Sequence, residues 1–219
     1  MSTEQPRSRG VIKPEFYEHT VVNHEYVGDI FNTIRTELSP PVELIIDGQQ
    51  IFRKIFDLKE GDPGGYSYEI YASASVILAG DKHTHPINAG EIAPLFTHTT
   101  TDNIRRRVRE ARSLLHNDGD EIPFSTPTDW IDRYTIEQDA NPHIPDLAHG
   151  IVEHPDNNVG GSTPSTFAAA AVYYASQYLY TQTDDEYVTK KEISRWFNRT
   201  RPAINSAMRK IEWPPDTNC

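Results

Sequence analysis

The sequence predicts an all-α protein built from two tandem repeats of five helices, the second ending in a helix-turn-helix. Residues 64–79, a stretch rich in small residues, return as residues 160–175 at an unchanged offset of 96. Apolar residues recur at three- and four-residue steps, and no segment shows the alternation of a half-buried strand. Each copy is long enough for a core of its own, because single-core domains often hold about 100 residues.

The order of features after each copy is also repeated. Both copies are followed by a Glu-Ile pair, Glu91-Ile92 and Glu192-Ile193, and then by a threonine that precedes a basic helix. This correspondence sets the predicted boundaries. They are a tail over 1–22, a first repeat over 23–117, a linker over 118–126, a second repeat over 127–213 and a tail over 214–219.

In the first repeat, prolines and glycines mark where helices end. Ser39-Pro40-Pro41 stops one helix, because proline cannot continue the hydrogen-bond ladder, and residues 61–65 form a Gly-rich turn. Pro94 interrupts a short fourth helix. The other four helices are predicted at about 25–37, 42–56, 67–79 and 101–115.

In the second repeat, hydroxyl side chains mark where helices begin. Thr126 or Thr128, then Thr163 and Thr200, stand where an N-cap is needed, and Thr189 with Glu192 matches a capping box. The helices are predicted at about 127–139, 143–154, 166–179, 189–198 and 200–211. Ala168 to Ala171 has almost no side chain, so we expect that helix at the centre of its bundle.

Charge is distributed unevenly along this acidic chain, whose net charge is −11. Segment 103–113 has a balance of +4 and segment 189–211 a balance of +6, so the rest of the chain carries −21. Basic charge at equivalent places in two repeats predicts an anionic partner, although a charged run can also be only a solvated face. The acidic, lysine-poor composition, with 14 Arg and 7 Lys, is typical of a halophilic source.

Segment 189–211 has the pattern of a helix-turn-helix, with helices 190–197 and 201–211 and a turn at 198–200. Its apolar residues are predicted to pack inward, and in this motif the second helix lies in the DNA major groove. Arginine can pair with guanine and asparagine with adenine, while other cations neutralise phosphates. The predicted DNA-binding residues are Lys190, Lys191, Arg195, Arg199, Arg201, Asn205, Ser206, Arg209 and Lys210, with Arg105, Arg106 and Arg109 in the first repeat.

These features resemble a known family. Residues 164–176, Pro-Ser-Thr-Phe-Ala-Ala-Ala-Ala-Val-Tyr-Tyr-Ala-Ser, and residues 189–197, Thr-Lys-Lys-Glu-Ile-Ser-Arg-Trp-Phe, resemble the cyclin-like core of archaeal transcription initiation factor B, the counterpart of TFIIB. The resemblance covers about 127–211 well and about 24–115 more loosely. It implies two cyclin-like repeats that bind promoter DNA with the TATA-binding protein, the last helix reading the element upstream of the TATA box.

Two departures from the family pattern change that expectation. The chain has one cysteine, Cys219, so it lacks the cysteine pairs of the family's zinc ribbon, and direct contact with RNA polymerase is not expected. The family's last helix typically begins Val-Thr-Val-Arg, whereas this chain has Pro202-Ala203-Ile204-Asn205. Asn205 therefore stands where the resemblance places a base-reading arginine, which implies a different DNA site.

A second hypothesis is that the repeats form a protein-interaction module that has lost DNA binding. Asn205 and the −21 balance outside the basic segments favour it. We expect no enzyme, cofactor or metal site, since His83, His85 and His98 lack metal-ligand spacing and no phosphate-binding motif follows a strand. No apolar run suits a membrane span or a signal peptide, so a cytoplasmic, nucleoid-associated protein is expected.

Overall fold

The computed structural model describes residues 25–59, 68–157, 161–183 and 188–212. These residues form ten α-helices and, within the described ranges, no strand, so the predicted all-α class is confirmed. The predicted tails and the Gly-rich turn at 61–65 lie outside the described residues. The helices are α1 Glu25–Leu38, α2 Val42–Leu58, α3 Tyr68–Lys82, α4 Ala89–Ile92, α5 Thr101–Asn117, α6 Pro127–Gln138, α7 His143–Glu153, α8 Pro164–Thr183, α9 Lys190–Trp196 and α10 Arg201–Met208.

The chain divides into two compact units, one holding α1–α5 and the other α6–α10. The division falls between Pro123 and Phe124, and residues 84–86 group with the second unit. Both units have the same order of elements: two amphipathic helices, a helix of small residues, a short helix and a basic helix.

The small-residue helix lies at the centre of each unit. In the first unit α3 contacts α1, α2, α4 and α5, and in the second α8 contacts α6, α7, α9 and α10. Each of Ala168 to Ala171 is 0% exposed, as expected for a helix covered on all sides. In the first unit a Cβ at Gly48 would lie 3.3 Å from the Val76 Cγ2 atom, so the glycine allows α2 to approach α3 closely.

Aromatic rings fill the core of the first unit. The Phe56 ring centroid lies 4.5 Å from that of Phe52 and 5.3 Å from that of Tyr68, and the Phe31 ring meets Phe52 edge-on. Such pairs contribute about 0.5–1.5 kcal/mol beyond the burial of their area. They join α1 and α2 to the start of α3.

A second aromatic cluster joins α6 to α9 in the second unit. The Tyr134 ring centroid lies 5.1 Å from that of Trp196 and 5.6 Å from that of Phe197, and Trp130 contacts Phe197. Burial, reinforced by the nearby Glu192 carboxylate, raises the pKa of Tyr134 to about 12, so its phenol is neutral at ordinary pH. The aromatic cluster fixes the end of α9 against the body of the unit.

The predicted caps are confirmed where they are described. Thr126 caps α6, rather than Thr128, and Thr200 caps α10. The first unit repeats the capping box of Thr189 and Glu192, with Asn88 and Glu91 in those positions. Pro94 lies in a 3₁₀ turn over Ala93–Leu95 that follows α4, because its ring and missing N–H end α-helical bonding.

Close packing around α8 leads to a stability prediction. Replacing Ala171 with leucine should lower the free energy of unfolding of the second unit by about 1–3 kcal/mol, since no space exists for the added atoms. The matched control is Gln182→Leu on the exposed end of the same helix, which should change it by less than about 0.5 kcal/mol.

Urea unfolding followed by tryptophan fluorescence isolates this unit, because Trp130, Trp196 and Trp213 all follow residue 124 in the sequence. Equal effects of the two leucine substitutions would contradict the central position of α8.

Candidate nucleic-acid interface

Helices α9 and α10 are joined by a four-residue turn over 197–200. Asn198 has φ 48°, a left-handed conformation that asparagine adopts more readily than most residues. The Ser194 hydroxyl donates to the Arg199 carbonyl oxygen at 2.6 Å, and the Arg199 N–H donates to the Ser194 carbonyl oxygen at 3.0 Å. A short turn of this kind, often with glycine at the left-handed position, is the connection used in helix-turn-helix motifs.

A threonine caps the N-terminus of each helix in this element. The Thr189 hydroxyl oxygen accepts from the Glu192 N–H at 3.3 Å, and the Glu192 carboxylate accepts from the Thr189 N–H at 2.8 Å. Hydrogen bonds from the Thr189 side chain and backbone lower the pKa of Glu192, which stays ionised at ordinary pH. In α10 the Thr200 hydroxyl oxygen accepts from the Ala203 N–H at 3.4 Å.

The apolar residues of the element face inward, as predicted. Ile193, Phe197 and Ile204 are 0% exposed, and Ile211 is 8% exposed. Trp196 and Met208 are partly buried and pack against the same core. The α9–α10 element is therefore packed into the core of the second unit, and its polar residues lie on the opposite face.

The outward face of α10 is a polar and cationic stripe. Arg201 and Asn205 on α10 and Arg209, which directly follows its last residue, are exposed at four-residue steps and therefore lie along one side. Ser206 is exposed beside Asn205, and Lys191 and Arg195 are exposed on α9. We call this set the α9–α10 outer face: Lys191, Arg195, Arg201, Asn205, Ser206 and Arg209.

Several of the predicted DNA-binding cations, Arg199 and Lys210 among them, contact groups of the protein. Arg199 is half-buried and donates from Nε to the Ser165 hydroxyl oxygen at 2.8 Å, where Ser165 is 2% exposed at the start of α8. Lys210 is half-buried and donates from Nζ to the Ser162 hydroxyl oxygen at 3.4 Å. Arg199 thus ties the turn to the central helix, a role that the sequence pattern does not indicate.

Lys190 has contacts that sequence reasoning missed. Its Nζ atom lies 4.6 Å from the Tyr173 ring centroid and donates to the Asn205 Oδ1 atom at 2.7 Å. The sequence shows an aromatic residue within a small-residue helix, but not which cation lies over it. Lys190 and Asn205 are 15 residues apart on different helices, so no local spacing reveals their hydrogen bond.

In the first unit, the arginines of α5 divide into two groups. Arg105, Arg106 and Arg109, the three predicted to bind DNA, are exposed. Arg107 is 7% exposed, pairs with Glu110 and lies 5.1 Å from the Tyr71 ring centroid. The charge of Arg107 is therefore largely balanced by Glu110 within the unit.

Arg112 connects three parts of the first unit. It donates to the Asp81 carboxylate at 2.5 Å and to the carbonyl oxygens of Ile122 and Pro123 at 2.5 and 2.7 Å. These bonds hold the segment that follows α5 against α3. Three of the five arginines of α5, Arg105, Arg106 and Arg109, therefore supply its exposed positive charge.

The exposed arginines of α5 correspond in position to polar residues of α10. Thr100 and Thr200 both cap their helices, and Ile104 and Ile204 are both 0% exposed. With these pairs aligned, Arg105, Arg106 and Arg109 match Asn205, Ser206 and Arg209. The two units therefore present polar residues at equivalent positions of equivalent helices.

The histidines near α4 have other neighbours. The His83 Nε2 atom lies 2.9 Å from an Asp47 carboxylate oxygen, and His85 lies 3.8 Å from Glu137. In the described part of the chain no group of three or more His, Cys, Asp or Glu side chains is arranged to hold a metal ion.

No helix among the described residues is both long and apolar enough to cross a bilayer.

Neither the protein-family models nor the curated proteins include a match to this chain.

The contacts of Glu110 with Lys59 and Arg107 predict that the stability of the first unit depends on pH. Burial opposes ionisation of Glu110, but hydrogen bonds from Lys59 and Arg107 outweigh it and hold its pKa below the usual 4.5. A carboxylate with a lowered pKa in the folded state stabilises the fold above pH 4.5, and that stabilisation is lost as pH falls through the folded-state pKa.

Glu110→Gln should therefore cost about 1–3 kcal/mol at neutral pH, where the buried Arg107 loses its charged partner. The difference from the unchanged protein should shrink as pH falls below 4.5. Urea unfolding followed by circular dichroism measures it, with Glu37→Gln on the exposed side of α1 as the control. A difference that stays constant with pH would contradict this assignment.

Proposed function

We propose that this chain is a DNA-binding transcription regulator that reads duplex DNA with α10. The observation that carries the proposal is the α9–α10 outer face. Its members Arg201, Asn205 and Arg209 stand in one exposed row on a helix that is capped at its start and packed on its other side. A helix presented in this way suits the major groove, which admits a single α-helix.

The chemistry of the outer face suits both parts of a DNA site. Arg201 stands at the first position of α10, where the side chains of a recognition helix reach base edges, and arginine can donate two hydrogen bonds to guanine. Lys191 and Arg195 lie on the preceding helix, which crosses the backbone in this motif, so they would bind phosphates. Arg199 and Lys210 are left out of the proposed contact set because they bond to Ser165 and Ser162.

The exposed arginines of α5 would add contacts to the DNA backbone. Arg105, Arg106 and Arg109 form an exposed cationic patch on a chain of net charge −11, with the Asp102 carboxylate 3.7 Å from Arg105. Local fields of this kind attract polyanions even when the net charge is negative. Phosphate contacts weaken with salt, so base contacts by α10 would carry the selectivity under halophilic conditions.

The resemblance to transcription factor B supports promoter DNA as the target and the TATA-binding protein as the partner. Five helices in the same order occur in each unit, and both central helices are rich in small residues. This order agrees with the two cyclin-like repeats that the resemblance implies. Because Asn205 stands where the family has an arginine, we expect the DNA sequence recognised by this protein to differ from the one that the family recognises.

A protein-interaction module is the second candidate. Several of the basic residues in segments 103–113 and 189–211, among them Arg107, Arg112, Lys190, Arg199 and Lys210, bond to groups within the protein. The exposed positive charge is thus smaller than the sequence suggests, which favours a partner other than DNA. Selection from random duplex DNA separates the two candidates, because an interaction module enriches no sequence.

Replacing both Arg201 and Asn205 with alanine should abolish site preference without unfolding the protein. Both side chains are exposed, so the fold loses little, while the selected site should be bound roughly 10–100-fold more weakly. Sequences bound from random duplex DNA are compared at two salt concentrations, with and without TATA-binding protein. Arg53→Ala, an exposed arginine on α2, is the control, and unchanged selectivity of the double variant would refute the recognition-helix assignment.

Replacing Arg105, Arg106 and Arg109 together with alanine should weaken binding to all sequences by a similar factor. Each lost phosphate contact should reduce the slope of log affinity against log salt by about 1 and leave the preferred site unchanged. Fluorescence anisotropy on the selected site and on a scrambled duplex measures both quantities. If the two duplexes lose affinity to different extents, these arginines do more than bind phosphates.

A further inference from the structure

The contact between α9 and α10 fixes the orientation of one amide on the outer face. The Lys190 Nζ atom is held on two sides, by the Tyr173 ring at 4.6 Å and by the Asn205 Oδ1 atom at 2.7 Å. Tyr173 is only 5% exposed and belongs to the central helix, so it is a rigid support for the cation. A cation over an aromatic face is stabilised by about 0.5–2 kcal/mol, depending on its solvation.

The identity of the partner decides which way the amide points. A lysine ammonium has three donors and no acceptor, so only the oxygen of the Asn205 amide can face it. The Asn205 Nδ2 group is then directed away from Lys190. The orientation of this amide follows from the chemistry of the ammonium and not from a choice between two similar atoms.

This orientation conflicts with the usual pairing of asparagine and adenine. That pairing uses the amide oxygen to accept from adenine N6 and the amide N–H to donate to adenine N7. In this protein the oxygen already accepts from Lys190. One lone pair of Oδ1 remains, but the Lys190 ammonium beside it repels a further N–H donor such as adenine N6, whereas the outward Nδ2 group can still donate. Guanine is the base whose major-groove edge offers two adjacent acceptors, N7 and O6.

We propose that Lys190 is a positioning residue that holds Asn205 as a hydrogen-bond donor, so that α10 reads guanine where the residue type alone would indicate adenine. The proposal rests on the proposed DNA-binding function and adds the base class of its site. Arg201 and Arg209, in the same row, have donors only. The row therefore matches a DNA site rich in guanine on one strand.

The test uses the full chain and a library of random duplex DNA. Asn205→Ala locates the base pair that Asn205 reads, because its preference should disappear in that variant. Lys190→Met then removes the ammonium and frees Oδ1, so preference at that pair should move from guanine towards adenine by roughly tenfold. Lys191→Met removes the same charge from the neighbouring exposed residue and should lower affinity while leaving the preference unchanged.

A conservative substitution separates positioning from loss of charge or fold. Lys190→Arg keeps a cation with donors only, so the preference for guanine should be retained. The inference is overturned if the unchanged protein selects adenine at this pair, if Asn205→Ala changes no position of an enriched site, or if Lys190→Met shifts the preference no more than Lys191→Met. If neither the unchanged protein nor any variant enriches a sequence, the proposed DNA-binding function itself fails.

Discussion

The close approach of helices around α8 is the constraint on which the second unit depends. Ala168 to Ala171 are all 0% exposed, and alanine loses no side-chain conformational entropy when it is buried. Because helix separation is set by the side chains at the contact, a helix of small residues can be surrounded by four others at short distance. The outer face exists because α9 and α10 must lie against this helix, and α3 places α5 in the first unit by the same means.

The basic residues of both units serve two different purposes. Arg112 and Arg199 are bonded to Asp81 and Ser165 of other helices, while Arg107 pairs with Glu110 of its own helix and lies over the Tyr71 ring of α3. The desolvation of such cations is offset only by good partners, which explains why each has one. Arg105, Arg106 and Arg109 on α5, Lys191 and Arg195 on α9 and Arg201 on α10 are exposed, and their charge would attract a polyanion.

Local signals predicted most of the fold, whereas the details of the site depend on contacts between distant residues. Thr189 with Glu192, Thr200 and Pro94 act within a few residues of their own position, so the helix starts and the interruption at Pro94 could be predicted from the sequence. The inward turn of Arg199 depends on Ser165, 34 residues away. The sequence identified which residues are basic, but only packing decides which of them reach solvent.

The same distinction applies to the chemistry of Asn205. An isolated asparagine offers a donor and an acceptor, and its residue type therefore indicates adenine. In the folded unit the amide oxygen accepts from Lys190, whose ammonium is held by Tyr173 of the central helix and disfavours the approach of a further donor. Phosphate contacts lose strength as salt rises, so under the proposed function the hydrogen-bonding pattern of α10 would have its greatest effect on selectivity where salt is high. Under the proposed function, packing around α8 would thus set which hydrogen-bonding groups α10 offers to a base.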